Sequence, residues 1–529
     1  MKTLKQKALV AALAGVGASM FVGYAGAVAL SSEGTGEALL YPYYTARGAT
    51  NTLLSVVNTT TQGKAVKVRF RESKDSRDVL DFNLFLSPYD VWTGGVTKNV
   101  AGDGARLITT DTSCTSPAKS AFINLGGGVY AVDFFNYEYQ ANDANSVHGS
   151  QVLAGPQSLD RTLDGYVEII EMATIPSGTP LFTAVKHVAG VPPCGSAVPQ
   201  GAVPAGGNTA TGTLLVPSGG LFGSVTYVAT GNLGMATSSN ASALNGFNRD
   251  SNISAPNSDQ PNLRDHNSCT AAVVTSTEVV VADMTAGAGL CAATPLFQAN
   301  AVSAVLMAAT VSGEYSYTTD LLSATDWVIT MPGKSYYTDR TLNGNVVAIA
   351  PFTNNWSPLK QLASEPVSLL STDREEDRGT QQDCINTPSL PECTFSPRPP
   401  AQEVPGNALN WESSVVSFGS GAKATGPSGV LASNNVAWFA GRQNALGGGW
   451  LELTFTGANA SVGVVGNVVS SLSLTTGAVT RAAASKVTFT GLPVIGFAAS
   501  AAKVTSAPPG QPLNNYDTSV NLIYKRSIK

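Results

Sequence analysis

Between Leu54 and Leu86 the apolar residues recur at every second position: Leu54 and Val56; Val66, Val68 and Phe70, with Lys67, Arg69 and Arg71 between them; then Leu80, Phe82, Leu84 and Leu86. Successive side chains of an extended chain point to opposite faces, whereas a helix repeats about every 3.6 residues, so this spacing predicts half-buried antiparallel strands. Asn58-Thr-Thr-Thr-Gln-Gly63 carries turn residues for one connection. Lys74-Asp-Ser-Arg77 closes the next with charged side chains expected in solvent.

The same signal recurs along the chain. Strands are expected at Val129 to Phe135, Gly165 to Met172 and Gly223 to Ala229, the last entered through Ser218-Gly-Gly220. Further strands are expected at Val279 to Val281, Trp327 to Thr330, Val346 to Pro351, Leu451 to Phe455 and Val487 to Phe489, with one internal helix at Ala299 to Val311. The expected fold is all-β: immunoglobulin-like β-sandwich domains with long loops and at most one or two short helices. The expected divisions are a signal peptide over 1–29, an N-terminal β-sandwich region over 30–236 and a polar linker or loop over 237–270. A middle β region with a short helix follows over 271–370, then a charged, Cys/Pro-rich loop over 371–410 and a C-terminal β region over 411–529. No repeat of roughly 20 to 50 residues appears, which argues against solenoids and propellers.

Residues 1–29 combine Lys2, Lys5 and Lys7, an apolar run from Ala8 to Tyr24, and the small residues of Ala25-Gly-Ala-Val-Ala29. This is the pattern of a secretory signal, so the chain is expected outside the cytoplasm, at the cell surface or in the extracellular space, with the periplasm as the other compartment. No other stretch approaches about 18 apolar residues, so no transmembrane anchor is expected after cleavage. An outer-membrane barrel fits poorly, because the strands look short and the loops carry cysteine and proline. Only 13% of residues are charged, and the formal charge of -5 becomes -8 once the three leader lysines are removed. A chain of that sign is not expected to bind nucleic acid.

Six cysteines, Cys114, Cys194, Cys269, Cys291, Cys384 and Cys393, fit disulfides in an oxidising compartment. Loop-closure entropy favours neighbours, giving Cys114 with Cys194, Cys269 with Cys291 and Cys384 with Cys393. Zinc is disfavoured, since no CxxC spacing occurs and His148, His187 and His266 are scattered.

Catalytic vocabulary is sparse. Gly287-Ala-Gly289-Leu-Cys-Ala292 resembles a dinucleotide loop, but Cys291 inside it and the lack of alternating strands and helices favour a plain turn. No GxSxG or HExxH occurs. Glu168 and Glu171 invite comparison with a glycosidase pair, yet three-residue spacing on a strand sends them to opposite faces, one expected toward solvent. The expected cofactor set is empty apart from Ca2+, for which Asp373, Glu375, Glu376 and Asp377 are the candidate ligands. Trp92, Tyr336 and Tyr337 are candidate glycan contacts, with Tyr41, Tyr43 and Tyr44 as further aromatic platform residues.

Several ordered segments resemble a group of exported proteobacterial proteins, some called cell-surface proteins. They are Leu86-Ser-Pro-Tyr-Asp-Val-Trp92, Thr325-Asp-Trp-Val-Ile-Thr330, Met331-Pro-Gly-Lys334, Tyr336-Tyr-Thr-Asp339, Asp373-Arg-Glu-Glu376, Phe395-Ser-Pro397 and Gly491-Leu-Pro-Val-Ile-Gly-Phe497. Met331-Pro-Gly stands where the group more usually has Phe-Pro-Thr. The resemblance implies export and a surface role and supplies no catalytic residues. The function expected from the whole reading is that of a non-enzymatic cell-surface or matrix protein acting through self-association or contact with envelope components. A glycan- or surface-binding adhesin is the alternative, and a secreted hydrolase the third.

Overall fold

The structure is a computed structural model and describes residues 26–139, 158–229, 235–266, 268–291, 295–316, 323–343, 348–358, 360–373, 378–379, 408–419, 427–437, 448–455, 463–503 and 515–529. Half of the chain is strand and 8% is helix, arranged in several sheets as a sandwich-like all-β fold. The N-terminal strands run β1 (Ala27–Leu30), β2 (Ala38–Thr45), β3 (Thr50–Asn58), β4 (Gly63–Glu72), β5 (Asp78–Leu86), β6 (Val91–Lys98), β7 (Ala105–Thr109), β8 (Cys114–Ser116), β9 (Ile123–Gly126), β10 (Val129–Asp133) and β11 (Asp164–Ile175).

Two sheets dominate. The larger has 12 strands, in the order Ser527–Ile528, Lys486–Thr490, Gly463–Ser473, Glu278–Asp283, Thr270–Val274, β1, Ser242–Asn245, β2, β11, β4, β5, β8. The smaller has seven: Met235–Asn240, Leu221–Ala229, β3, β6, β7, β10, β9. Alternation decides which residues meet between them. Val66, Val68 and Phe70 of β4 and Val167 and Ile169 of β11 pack against Leu54 and Val56 of β3 and Trp92 and Val96 of β6 in one buried cluster. The opposite face of β2, with Ala38 and Leu40, belongs to a second cluster that includes Val302 and Val305 of the helix Pro295–Leu306. That helix starts at a proline, which suits its first turn, and stops five residues short of the expected end, where Met307 begins a strand. Among the described residues 348–351 there is no strand where one was expected.

The stretch expected as a polar linker or loop over 237–270 is loop for most of its described length but is built into the molecule: Met235–Asn240 and Ser242–Asn245 are sheet strands, and residues 254–261 lie across β4 and β5. There the backbone oxygens of Ala255 and Pro256 accept from Lys67 Nζ at 3.0 and 2.8 Å, and Ser254 O accepts from Asn83 at 2.7 Å. The face of β4 that carries Lys67, Arg69 and Arg71 is consequently buried and not solvated. The hairpin residues Asp75, Ser76 and Arg77 are buried too, with Arg77 bound to Asp75 and Asp339. A polar loop is a good cover for a buried cation because its carbonyls supply acceptors that an apolar cover would lack.

Two disulfides are in place, Cys114–Cys194 and Cys269–Cys291. Cys384 and Cys393 lie outside the described residues. No helix among the described residues is long and apolar enough to cross a membrane. The leader boundary expected after Ala29 falls inside β1, whose Val28 is fully buried.

Candidate docking surface

The aromatic residues proposed for glycan contact are interior. Trp92 points from β6 into the sandwich, its ring 6.0 Å from Phe82, and is fully buried. Tyr337 is also fully buried, with its hydroxyl 2.8 Å from Ser303 Oγ and 3.0 Å from Asn300 Oδ1. Tyr336 is buried beneath the Arg264 guanidinium, 5.1 Å above its ring. Tyr41, Tyr43 and Tyr44 are core residues whose hydroxyls serve Ser55 O, Asp164 and Thr162 O. Large aromatic rings gain most by burial, and each of these finds a partner for its polar tip except Trp92, whose indole nitrogen has none.

The paired carboxylates are structural. Glu168 and Glu171 do face opposite sides of β11, but neither reaches solvent: Glu168 pairs with Arg71 at 2.9 Å and Glu171 with Lys64 at 2.8 Å. Glu171 also accepts from the backbone N–H groups of Ser218 and Gly219, which explains the conformation of the Ser218-Gly-Gly220 turn. Around Glu168 extends a dry ionic cluster. Arg69 and Arg71 flank Asp78; burial alone would disfavour the Asp78 anion, but the two guanidiniums hold its carboxyl below the usual range. Glu72 is held low in the same way by Arg161. Glu412 reaches into this region from a distant segment and accepts from the N–H groups of Gly333, Lys334 and Ser335 at 2.6, 3.1 and 3.1 Å. Burial nevertheless pushes its carboxyl up to about 7, and burial pushes the Lys334 ammonium down to about 8. The cluster therefore joins β4, β5 and β11 to residues 333–339 and 412, with Glu72, Glu168 and Glu412 buried.

Histidine chemistry is similarly closed. His266 is buried and stacked on Phe247 at 4.1 Å, and burial lowers its pKa to about 4. His187 comes nearest to a hydrolase relay: Nδ1 lies 2.9 Å from Ser87 Oγ and 3.7 Å from Asp90 Oδ2, and Nε2 lies 3.2 Å from Thr112 Oγ1. A relay needs nucleophile and carboxylate on opposite ring nitrogens, and here the serine and the aspartate share one. Ser87 is buried as well. The grouping ties β5 and β8 to the loop closed by Cys114–Cys194. His148 lies outside the described residues. Gly287-Ala-Gly289 is a turn, with Ala286 and Gly287 at φ 51° and 82°, directly before Cys291 of its disulfide. The Ca2+ candidates Glu375, Glu376 and Asp377 and the side chain of Asp373 lie outside the described residues. Among the described residues, no group of three or more His, Cys, Asp and Glu is placed to hold a metal ion.

What remains accessible is the outer face of the seven-stranded sheet. Four adjacent strands, Met235–Asn240, Leu221–Ala229, β3 and β6 as far as Thr97, contain no charged residue. Register aligns Ser224, Ser55 and Thr93 in one row, Thr226, Leu53, Gly95 and Ile108 in the next, and Phe222, Val57 and Val91 in a third. The first two rows border a shallow groove of about 700 Å³. Charges border this face at Asp111, whose carboxylate accepts from Thr93 N at 3.2 Å, and at the Arg106–Asp133 pair.

The two edges of this sheet differ. Met235–Asn240 is flanked by Asn515–Asn521, where Asp517 accepts from Ala236 N at 2.8 Å and Ser519 bonds Ser238 O. At the other edge, β9 reads Ile123-Asn-Leu-Gly126, is exposed throughout, and leaves Ile123 43% and Leu125 48% accessible. Beyond the end of β10, where Phe135 N donates to Val79 O of β5, Phe135 and Tyr137 stack at 5.1 Å on the surface. The sequence reading missed both features, although Ile123 and Leu125 alternate as strand residues do.

No family model, curated protein or solved structure matches this chain. The fold and surface define a disulfide-containing, sandwich-like β-protein, and its function rests on the geometry above.

Proposed function

We propose that this chain is an exported, non-enzymatic cell-surface or matrix protein that works by associating with copies of itself. The observation that carries the proposal is β9: an edge strand without charge, with two exposed aliphatic side chains, on a sheet whose four farther strands carry no charged residue as far as Thr97. An edge strand presents unpaired N–H and C=O groups, and edges that must stay single are blunted with lysine, proline or a covering segment. Among the described residues β9 has none of these, although it is only four residues long and its pairing with β10 carries a register shift. Pairing of β9 with β9 of a second copy joins two seven-stranded sheets about a two-fold axis, and the neutral outer face supplies a lateral contact for extending such dimers.

Sedimentation of the purified protein over a wide concentration range tests this. Dimers and larger species are expected, and Leu125→Lys or Asn124→Pro returns the chain to monomer without lowering its melting temperature. A wild-type protein that stays monomeric at high concentration overturns the proposal.

One observation favours the adhesin reading. Phe135 and Tyr137 form a stacked, exposed aromatic pair of the kind that packs against sugar rings. Saturable binding on a glycan array that is lost in Tyr137→Ala, with oligomerisation intact, is the expected result under that reading.

A further inference from the structure

We infer that leader removal hydrolyses the Ala25–Gly26 bond, so that the exported chain begins at Gly26 and keeps β1. The inference rests on the reading of residues 1–29 as an export signal, and it corrects where that signal ends.

Leader peptidases require small residues at the third and first positions before the cut. The sequence offers three such pairs in succession: Gly23 and Ala25, Ala25 and Ala27, Ala27 and Ala29. By sequence the last two are the better match, since both positions are alanine. The fold separates them. β1 lies inside the 12-stranded sheet, paired in parallel with Thr270–Val274 through Ala27, Val28 and Ala29, and antiparallel with Ser242–Asn245 through Ala29 and Leu30. It is the seam between two halves of that sheet, one ending at β8 and the other at Ser527–Ile528. Val28 is fully buried in the cluster that includes Ala38, Leu244 and Ala271. The packing extends to Gly26, whose carbonyl accepts from Ser268 Oγ. Opposite Ala27, a Cβ on Gly246 would stand 2.1 Å from the Ala27 carbonyl oxygen, so residue 246 leaves space for this strand.

A cut after Ala29 removes Ala27, Val28 and Ala29 and leaves Ser242–Asn245 and Thr270–Val274 two strand spacings apart, about 10 Å, with facing backbone groups unpaired. A cut after Ala27 removes the Ala27 pairing with Thr270 and the Gly26 contact to Ser268. Only a cut before Gly26 spares every described contact. The reaction consumes one water, leaving a carboxylate on Ala25 and an α-amino group on Gly26.

The full-length chain is expressed in a bacterium that exports it, and the N-terminus of the exported protein is read by intact mass and terminal sequencing. A start at Gly26 is expected. A start at Val28 or Leu30 overturns the inference while leaving export intact, whereas a chain that retains Met1 and stays in the cytosol overturns both. In parallel, chains engineered to begin at Gly26 and at Leu30 are compared by thermal unfolding. The shorter one is expected to melt lower by roughly 5 °C or more. Equal melting temperatures remove the structural basis of the inference.

Discussion

The charged face of β4 and the outer face of β3 and β6 invert the usual arrangement of a sandwich. β4 carries Lys67, Arg69 and Arg71 on a face that is buried, and the neighbouring sheet shows solvent a run of serine, threonine, glycine and a few aliphatic side chains. In a chain with only 13% charged residues, many of the charges are placed inside, where they fasten segments distant in sequence. On the neighbouring sheet, the exterior of the four strands from Met235–Asn240 to β6 is left neutral as far as Thr97. A charged exterior would keep copies apart by mutual repulsion, and a neutral one with a bare edge does not. The interior pairs, in turn, are worth most as a constraint on which segments dock, because an unpaired charge at such a site is costly.

The largest effect should come from breaking one interior pair. Glu72→Ala leaves Arg161, bound at 2.6 and 3.2 Å, without its carboxylate in a buried site. A loss of about 3–5 kcal/mol in denaturant unfolding is expected, and a loss below about 1 kcal/mol would mean that water reaches the cluster. Next comes the Cys114–Cys194 disulfide, which spans 80 residues. Replacing both cysteines with alanine should cost about 2–4 kcal/mol, checked in the same way.

pH separates the interior groups. Glu412, raised to about 7, contributes stability that is complete below the usual carboxylate range and is lost as pH rises through about 7. Lys334, lowered to about 8, contributes stability that is complete above the usual lysine range and is lost as pH falls through about 8. Glu412→Gln should therefore remove a decline in melting temperature between about pH 5 and pH 7.5 that the parent shows. An unchanged slope would remove Glu412 as its source. The smallest effect is expected outside: Ser55→Lys or Thr93→Lys on the neutral face should change stability by no more than about 0.5 kcal/mol while weakening association.

The strands of the N-terminal half were legible because alternation is a local property. Leu54 and Val56, and Val66 through Phe70, lie in strands as read. The two described disulfides were legible for a related reason, since pairing each cysteine with its neighbour along the chain keeps the closed loops smallest. Burial of Lys67 and Arg69 was not legible. Their cover comes from residues 254–261, nearly 200 positions later, and nothing in the spacing of β4 distinguishes solvent from a polar loop as the neighbour of its charged face. Trp92 illustrates the converse, for an aromatic residue in an alternating strand faces core or surface according to register alone. The bare edge at β9 depends on strand order, which a single chain's pattern does not encode.

Sequence by itself determined that this chain forms strands, that Cys114 pairs with Cys194 and Cys269 with Cys291, and that its charge is scarce. Each of these follows from composition, from neighbours a few residues apart or from the order of the cysteines along the chain. Tertiary structure alone decided that the charged face of β4 is interior, that Ala27–Leu30 pairs into the 12-stranded sheet, and that β9 is an edge strand. The physical reason is that burial and pairing are relations between segments far apart in the chain, set by which surfaces come together once folding is complete.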